Sequence, residues 1–242
     1  MDRSPVLGRL CLPGARWRTG QACWAIADGH AAGTASVIEG PDGSGKSTQI
    51  ARLGERLRAA GVAVELTREP NGTALGQAIF GLHSLRTEPL AELFLMLAQR
   101  AQHVAEKIRP WLDAGWVVLS DRFIDASVAY QGYGRGLGSC MVQTLNAHAA
   151  GRIVPDLTLL LDVPPEVGLE RIGGRRFDRF EREGPEFHER VREGYLALMS
   201  REPRVRRIDA ARPVDVVAAD IEDAVLGFLA RRDLFTHAVR SA

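Results

Sequence analysis

From residue 35 onward, apolar positions follow two alternating rhythms. Short runs of aliphatic and β-branched residues, bounded by turn residues, predict buried strands. They are "ASVIE" (Ala35 to Glu39), the run from Val62 that ends at Arg68 and Glu69, "WVVLSDRF", the stretch Leu157 to Val163 in "PDLTLLLDV", and "VRRID". Between the strands, apolar residues recur at helical spacing. Ile50, Leu53 and Leu57 mark one helix face, and Gly61 is a plausible stop. A longer helical period runs from Leu90 to Leu112. The order predicts an α/β domain with five parallel strands and helices between them.

The first stretch does not share these rhythms. Residues 1–36 carry arginines, glycines and two tryptophans without a sustained period. No apolar core follows the early arginines, so a signal peptide is not expected. The segment is expected to be a disordered extension, or sequence upstream of the true start. The domain is expected to span residues 37–232, with a tail at 233–242.

Composition narrows the class. The formal net charge over 242 residues is +1, so nothing global points to nucleic acid, and any basic site must be local. No run approaches the ~18 apolar residues of a membrane span. The three cysteines, Cys11, Cys23 and Cys140, show no metal-type spacing. They fit a reducing, cytoplasmic setting and argue against a disulfide framework or a zinc site.

The chemistry concentrates after the first strand. Gly40, Pro41, Asp42, Gly43, Ser44, Gly45, Lys46 and Ser47, followed by Thr48, match G-x-x-x-x-G-K-[ST] between a strand and a helix. Glycines allow successive N–H groups to surround a phosphate, and the helix adds its positive end. Lys46 is one of only two lysines, with Lys107. It would reach the β- and γ-phosphates of a nucleoside triphosphate, and Ser47 would offer its hydroxyl to Mg²⁺. A switch-type GTPase is excluded, because no Asn-Lys-x-Asp stretch exists. A zinc lid would need paired cysteines, which are absent.

Further candidates stand where strands end. In an open parallel sheet, ligands bind beyond the carboxyl ends of strands. Arg68 suits an anion there, though an arginine in a solvated loop reads the same way. Asp121 and Arg122 close another strand, a pairing suited to Mg²⁺ organisation and phosphate clamping. Arg100 lies among apolar neighbours in the long helix, either snorkelling to solvent or aimed at a base or phosphate. "DASVAYQGYGRG" adds Ser127, Tyr130, Gln131 and an expected glycine-rich turn. Arginines cluster from Arg171 to Arg182, bracketed by Gly173–Gly174 and Gly184–Pro185. Such a run is either a solvated face or a lid, about residues 172–184, that closes over phosphates.

From Val37 onward the chain resembles the thymidylate kinase family. The resemblance rests on "IEGPDGSGKST", "TREPNGT", "LAQRAQHV", "DRF…SVAYQG", "PDLTLLLDV", "DRFE" and "FHERVREGYLAL". It implies a P-loop nucleoside monophosphate kinase fold with a short lid, and phosphoryl transfer from ATP to dTMP with Mg²⁺. It implies that Asp42 contacts the deoxyribose 3′-hydroxyl and that Arg68 and Arg122 hold the dTMP phosphate. Arg100 and Gln131 would read the thymine, Tyr130 would pack beside the sugar, and Asp121 would help order Mg²⁺. No basic side chain lies between Pro41 and Ser44, so the catalytic arginine should come from the lid, as in the bacterial type. Arg175, Arg176 and Arg179 are the candidates, with Arg179 of "DRFE" aligning best. The resemblance also implies a homodimer through the Leu90–Leu112 region. The chain departs from the family at Met96, where a phenylalanine usually stacks on thymine, at Asn71 in "TREPNGT", and at Ala126, where a serine is usual. Another nucleoside monophosphate kinase, or a nucleotide-binding paralogue without turnover, are the alternative readings.

Overall fold

The computed structural model describes residues 33–82, 85–173 and 178–232. The segments 1–32 and 233–242, and with them most of the expected extension and the tail, lie outside the described residues.

Five strands form one parallel sheet: β1 (Thr34–Glu39), β2 (Val64–Arg68), β3 (Val117–Asp121), β4 (Leu157–Asp162) and β5 (Val205–Asp209). Their spatial order is β2-β3-β1-β4-β5. β1, β3 and β4 are buried along their whole length, as strands covered on both sides require, while the edge strands β2 and β5 carry polar, more exposed residues. Alternation sorts their residues: Leu157, Leu159 and Leu161 of β4 enter one core, while Leu160 enters another.

The first core lies under α1 (Lys46–Ala59) and α9 (Val214–Ala230), which contribute Ile50, Leu53, Leu57, Val217, Ile221, Val225 and Leu229. On the other face pack α3 (Pro89–His103), α6 (Ser139–Ala149) and α8 (Pro185–Arg201). Short helices complete the chain: α2 (Ala74–Gly81), α4 (Arg109–Asp113), α5 (Ile124–Ser127) and α7 (Pro165–Ile172). The helical period read from Leu90 to Leu112 is a single run, in which a π-helical stretch, Val104–Ile108, joins α3 to α4. Its buried residues Val104, Ile108 and Leu112 build a third core with Ala35, Val37 and Val118.

Two expectations change. The domain begins before residue 37. Thr34 and Ser36 are 0% and 3% exposed, and Thr34, Ala35 and Ser36 pair with Val117, Val118 and Leu119 of β3. The strand read at Ala35–Glu39 is extended by polar Thr34 alone, and a boundary at 37 cuts through it. The Asp156 carboxylate holds it, accepting from the Thr34 hydroxyl (3.0 Å) and the Ala35 N–H (2.9 Å). The second change is at the glycine-rich stretch after Ser127, which is helical: Val128–Gly134 is a π-helical continuation of α5. A Cβ at Gly134 would lie 2.7 Å from the Phe187 ring, so Gly134 lets α8 approach closely, while Gly132 faces Ser139 of α6.

Candidate active site

The glycine loop links the carboxyl end of β1 to α1. Gly40, Gly43 and Gly45 all take positive φ, which an L side chain adopts only with strain. At Gly43 a Cβ would also fall 2.0 Å from the Gly168 carbonyl oxygen of α7. No side chain caps α1, so its first N–H groups and positive end remain for an anion.

Lys46 is folded into this loop at 7% exposure. Its Nζ donates to the carbonyls of Gly40 (3.0 Å) and Pro41 (2.7 Å) and to the Ser44 hydroxyl (3.3 Å). Burial, aided by the nearby Arg122 guanidinium, pushes the ammonium down to about 8, against the pull of Asp42, Asp121 and Glu39. The Ser47 hydroxyl donates to Asp121 Oδ2 at 2.7 Å, so two residues 74 positions apart meet as one pair of hard oxygens. That pair fits Mg²⁺, which binds through one or two protein oxygens with phosphates and waters completing its shell. No cluster of three or more histidines, cysteines or carboxylates exists among the described residues to suggest a metal caged by protein alone.

Arg122 follows β3 at φ 69°, held by its N–H to the Ile38 carbonyl (3.1 Å). Its guanidinium donates to the Gly40 carbonyl (3.0 Å), to Asp42, and to the hydroxyls of Tyr130 and Tyr195 (3.1 Å each). Tyr130 donates to Asp42 Oδ2 at 2.8 Å. Burial alone would raise the Asp42 carboxyl, but Arg122, Lys46 and Tyr130 hold it below the usual carboxylate range. Arg68 is exposed at the end of β2 and lines the same cleft.

The cleft, of about 930 Å³, also takes in Met96, Arg100, Ser127, Tyr130 and Gln131. Arg100 is 2% exposed, so it does not snorkel. All five guanidinium donors are engaged. Nε and Nη2 hold Glu69 Oε2 (2.9 and 2.6 Å), Nη2 also holds the Phe123 carbonyl (2.9 Å), and Nη1 holds Ser127 (2.9 Å) and Asn146. It could read a base only in exchange for one of these bonds. Gln131 donates to Glu92 Oε1 at 2.9 Å.

The lid expectation changes most. Arg175 and Arg176 lie outside the described residues. Arg179 does not line the cleft. It donates to the carbonyls of Leu85 (3.2 Å) and Thr87 (3.1 Å), to the Thr87 hydroxyl, and to Glu92 (2.7 Å). In this arrangement the guanidinium is engaged by α3 and the chain just before it. Its neighbours Asp178, Phe180 and Glu181 line the cleft, with Phe180 edge-on to Tyr130 at 5.5 Å.

Sequence reasoning missed two groups. Arg171, read only as part of the arginine cluster, joins Ile172, Ala210, Arg212, Pro213 and Val214 to line the far end of the cleft beside α1. They come from two separate segments and carry no motif. Glu39, Glu69 and Glu92 are buried carboxylates that organise the site. In the sequence a buried glutamate looks like a surface one. Only the adjacency of Glu39 to the glycine loop and of Glu69 to Arg68 hinted at them.

A glycine loop on a parallel sheet of order 2-3-1-4-5, with Lys46 in the loop and a serine–aspartate pair beside it, defines a P-loop nucleotide kinase. The thymidylate kinase family model matches residues 38–221, and the chain belongs to the thymidylate kinase family. It is 50% identical over 209 residues to the thymidylate kinase of Desulfovibrio desulfuricans, covering 81% of this chain and 96% of the relative. It is 54% identical over 195 residues to that of Solidesulfovibrio magneticus, covering 75% and 93%. The crystal structure of thymidylate kinase from Ehrlichia chaffeensis superposes with a TM-score of 0.68 at 30% identity, covering 81% of this chain and 99% of that one.

Proposed function

We propose that this protein transfers the γ-phosphoryl group of ATP to dTMP, giving dTDP and ADP. The observation that carries the reading is the convergence on one cleft of the Lys46 loop, the Ser47–Asp121 pair and the Arg122–Asp42–Tyr130 cluster. ATP would lie with its phosphates in the glycine loop and its base toward Arg171, Ala210 and Arg212. dTMP would lie with its phosphate toward Arg68 and Arg122, its sugar hydroxyl on Asp42 beside Tyr130, and its base among Met96, Arg100, Ser127 and Gln131. Ser47 and Asp121 would hold Mg²⁺, which when bound neutralises charge on the triphosphate.

An oxygen of the dTMP phosphate attacks the γ-phosphorus, and the bond to the β,γ-bridging oxygen breaks. That nucleophile is already ionised at neutral pH, since such a phosphate loses its second proton near pH ~6. No strong general base is required. Lys46 and Arg122 act by position and charge, and lid arginines at 175 and 176 remain candidates for contact with the transferred group.

We also propose a homodimer formed across the start of α3. Leu85, Leu90 and Phe94 expose 55%, 43% and 52% of their surface on one stretch of chain, a patch suited to a second copy; sedimentation at a monomer mass would refute it. The test of the activity is a coupled ADP-release assay with dTMP, dUMP, dCMP and dGMP. A preference for dTMP in kcat/KM is expected. No turnover, or preference for another nucleotide, overturns the reading.

A further inference from the structure

Glu92 sits in the first turn of α3, 2% exposed. A carboxylate there is tolerated only if it is paired, and its partners come from two parts of the chain, the stretch 131–135 and Arg179. Oε1 accepts from Gln131 at 2.9 Å, and Arg135 Nε lies 3.2 Å from each oxygen. Oε2 accepts from Arg179 at 2.7 Å. Arg135 in turn donates to Glu183 at 2.6 Å and lies over the rings of Phe180 and Phe187. Arg179, Phe180 and Glu183 therefore all grip α3 and Arg135, and they all belong to the segment between α7 and α8. The same carboxylate that anchors this segment also fixes the amide of Gln131, which lines the base end of the cleft.

We propose that Glu92 is a positioning residue that couples residues 178–184, just before α8, to the acceptor-base pocket: one buried carboxylate both latches Arg179 and orients Gln131. The proposal rests on the kinase reading above. Its consequence is mutual: docking of the segment favours the Gln131 orientation that accepts the base, and a correctly seated base favours the docked segment. Arg179 is thus an anchor, although the sequence places it as the catalytic lid arginine. Four of its five donors already hold Leu85, Thr87 and Glu92.

The test uses the full chain with Glu92→Gln, Arg179→Ala and Arg179→Lys. A glutamine at 92 must turn its amide N–H₂ either toward the arginines, which can only donate, or toward Gln131, whose own amide must then flip to accept it. Glu92→Gln should raise the dTMP KM about tenfold and shrink the dTMP-over-dCMP preference in kcat/KM, with kcat changed less than about fivefold. Both Glu92→Gln and Arg179→Ala should strip hydrogen-exchange protection from residues 178–184. Arg179→Lys should restore part of it, and combining Glu92→Gln with Arg179→Ala should add little to either alone. The proposal falls if protection at 178–184 matches wild type in both variants. It also falls if Arg179→Ala lowers kcat by about a thousandfold with the dTMP KM unchanged, the signature of a group acting only in the transition state. If Glu92→Gln does not fold, the two Arg179 variants decide the matter, since that side chain is partly exposed. A wild-type protein inactive on dTMP would remove the kinase reading, while the exchange measurement would still report on the latch.

Discussion

Two buried ionisable groups flank the glycine loop, and each has a consequence that can be measured. Lys46, held down to about 8 by burial and by Arg122, is partly neutral in the free protein above that pH. Triphosphate oxygens would stabilise the ammonium and raise its pKa again. ATP binding at pH 8.5 should therefore take up a proton, and affinity should fall as pH rises through 8. Calorimetry in two buffers of different ionisation enthalpy reads this directly, and identical heats in both would refute it. Glu39 has the opposite displacement. Burial, then the charge of Asp125, pushes its carboxyl up to about 7, above its unfolded value of 4.5. The folded protein then holds the extra proton between those two values, so the contribution to stability is fully present below about 4.5 and is lost as pH rises through 7. The loss is on the order of 3 kcal/mol. Glu39→Gln should flatten that slope in urea unfolding at pH 5 and 7.5; equal slopes in variant and wild type would show that Glu39 does not titrate in this window. The glycine loop was plain in the sequence because its spacing is the chemistry. Glu39 was not, because nothing in "VIEG" says that the side chain accepts from the Phe123 and Ala126 N–H groups and the Tyr195 hydroxyl.

At the scale of elements, Arg100 ties four pieces of chain together. From α3 it reaches Glu69 after β2, Phe123 and Ser127 around α5, and Asn146 on α6. Glu69 also faces His103 at 3.2 Å, and His103 meets the Thr67 hydroxyl at 2.6 Å. The helical period correctly set Arg100 among apolar neighbours, yet periodicity cannot tell whether such an arginine points at a ligand or at a buried carboxylate. Glu69 decides it, with burial opposed by Arg100 and His103, which hold its carboxyl below the ordinary range. Arg100→Ala would strand that charge, and breaking a buried pair from one side costs about 3–5 kcal/mol. We expect Arg100→Ala to lower stability by that amount in chemical denaturation as well as weakening dTMP binding. Adding Glu69→Gln should recover a substantial part of the stability and none of the binding. A variant that loses only dTMP affinity would mean that the pair does not hold these elements together. The other local surprise, the helical Val128–Gly134, has the same origin: tyrosine, glutamine and glycines read as a turn until the close packing of α8 is seen.

For the whole molecule, the alternation of strands and helices was sufficient to give a five-stranded parallel sheet, because the doubly covered strands β1, β3 and β4 show as short apolar runs and β2 and β5 fall at the same spacing between helical periods. The order β2-β3-β1-β4-β5 was not readable, since strand neighbours depend on long-range packing and not on local pattern. The start of the domain was also misplaced, and the error has a measurable cost. Residues 34–36 form half of central strand β1, and their loss removes three pairings to β3. It also removes the two donors to Asp156, a carboxylate otherwise shared with Arg232 at 2.8 Å. Hydrogen bonds to a charged group contribute about 1.5–3 kcal/mol each. At about 2–4 °C per kcal/mol for a domain of this size, a protein lacking residues 1–36 should melt roughly 10 °C or more below one lacking residues 1–32. The shorter deletion should melt close to the full chain and keep its turnover, because the first sheet pairing begins at Thr34 and the family match begins at residue 38. Scanning calorimetry on the two truncations separates the cases. Equal melting temperatures would show that Thr34–Ser36 are dispensable to the sheet, and a large loss on removing residues 1–32 alone would give the extension a structural role.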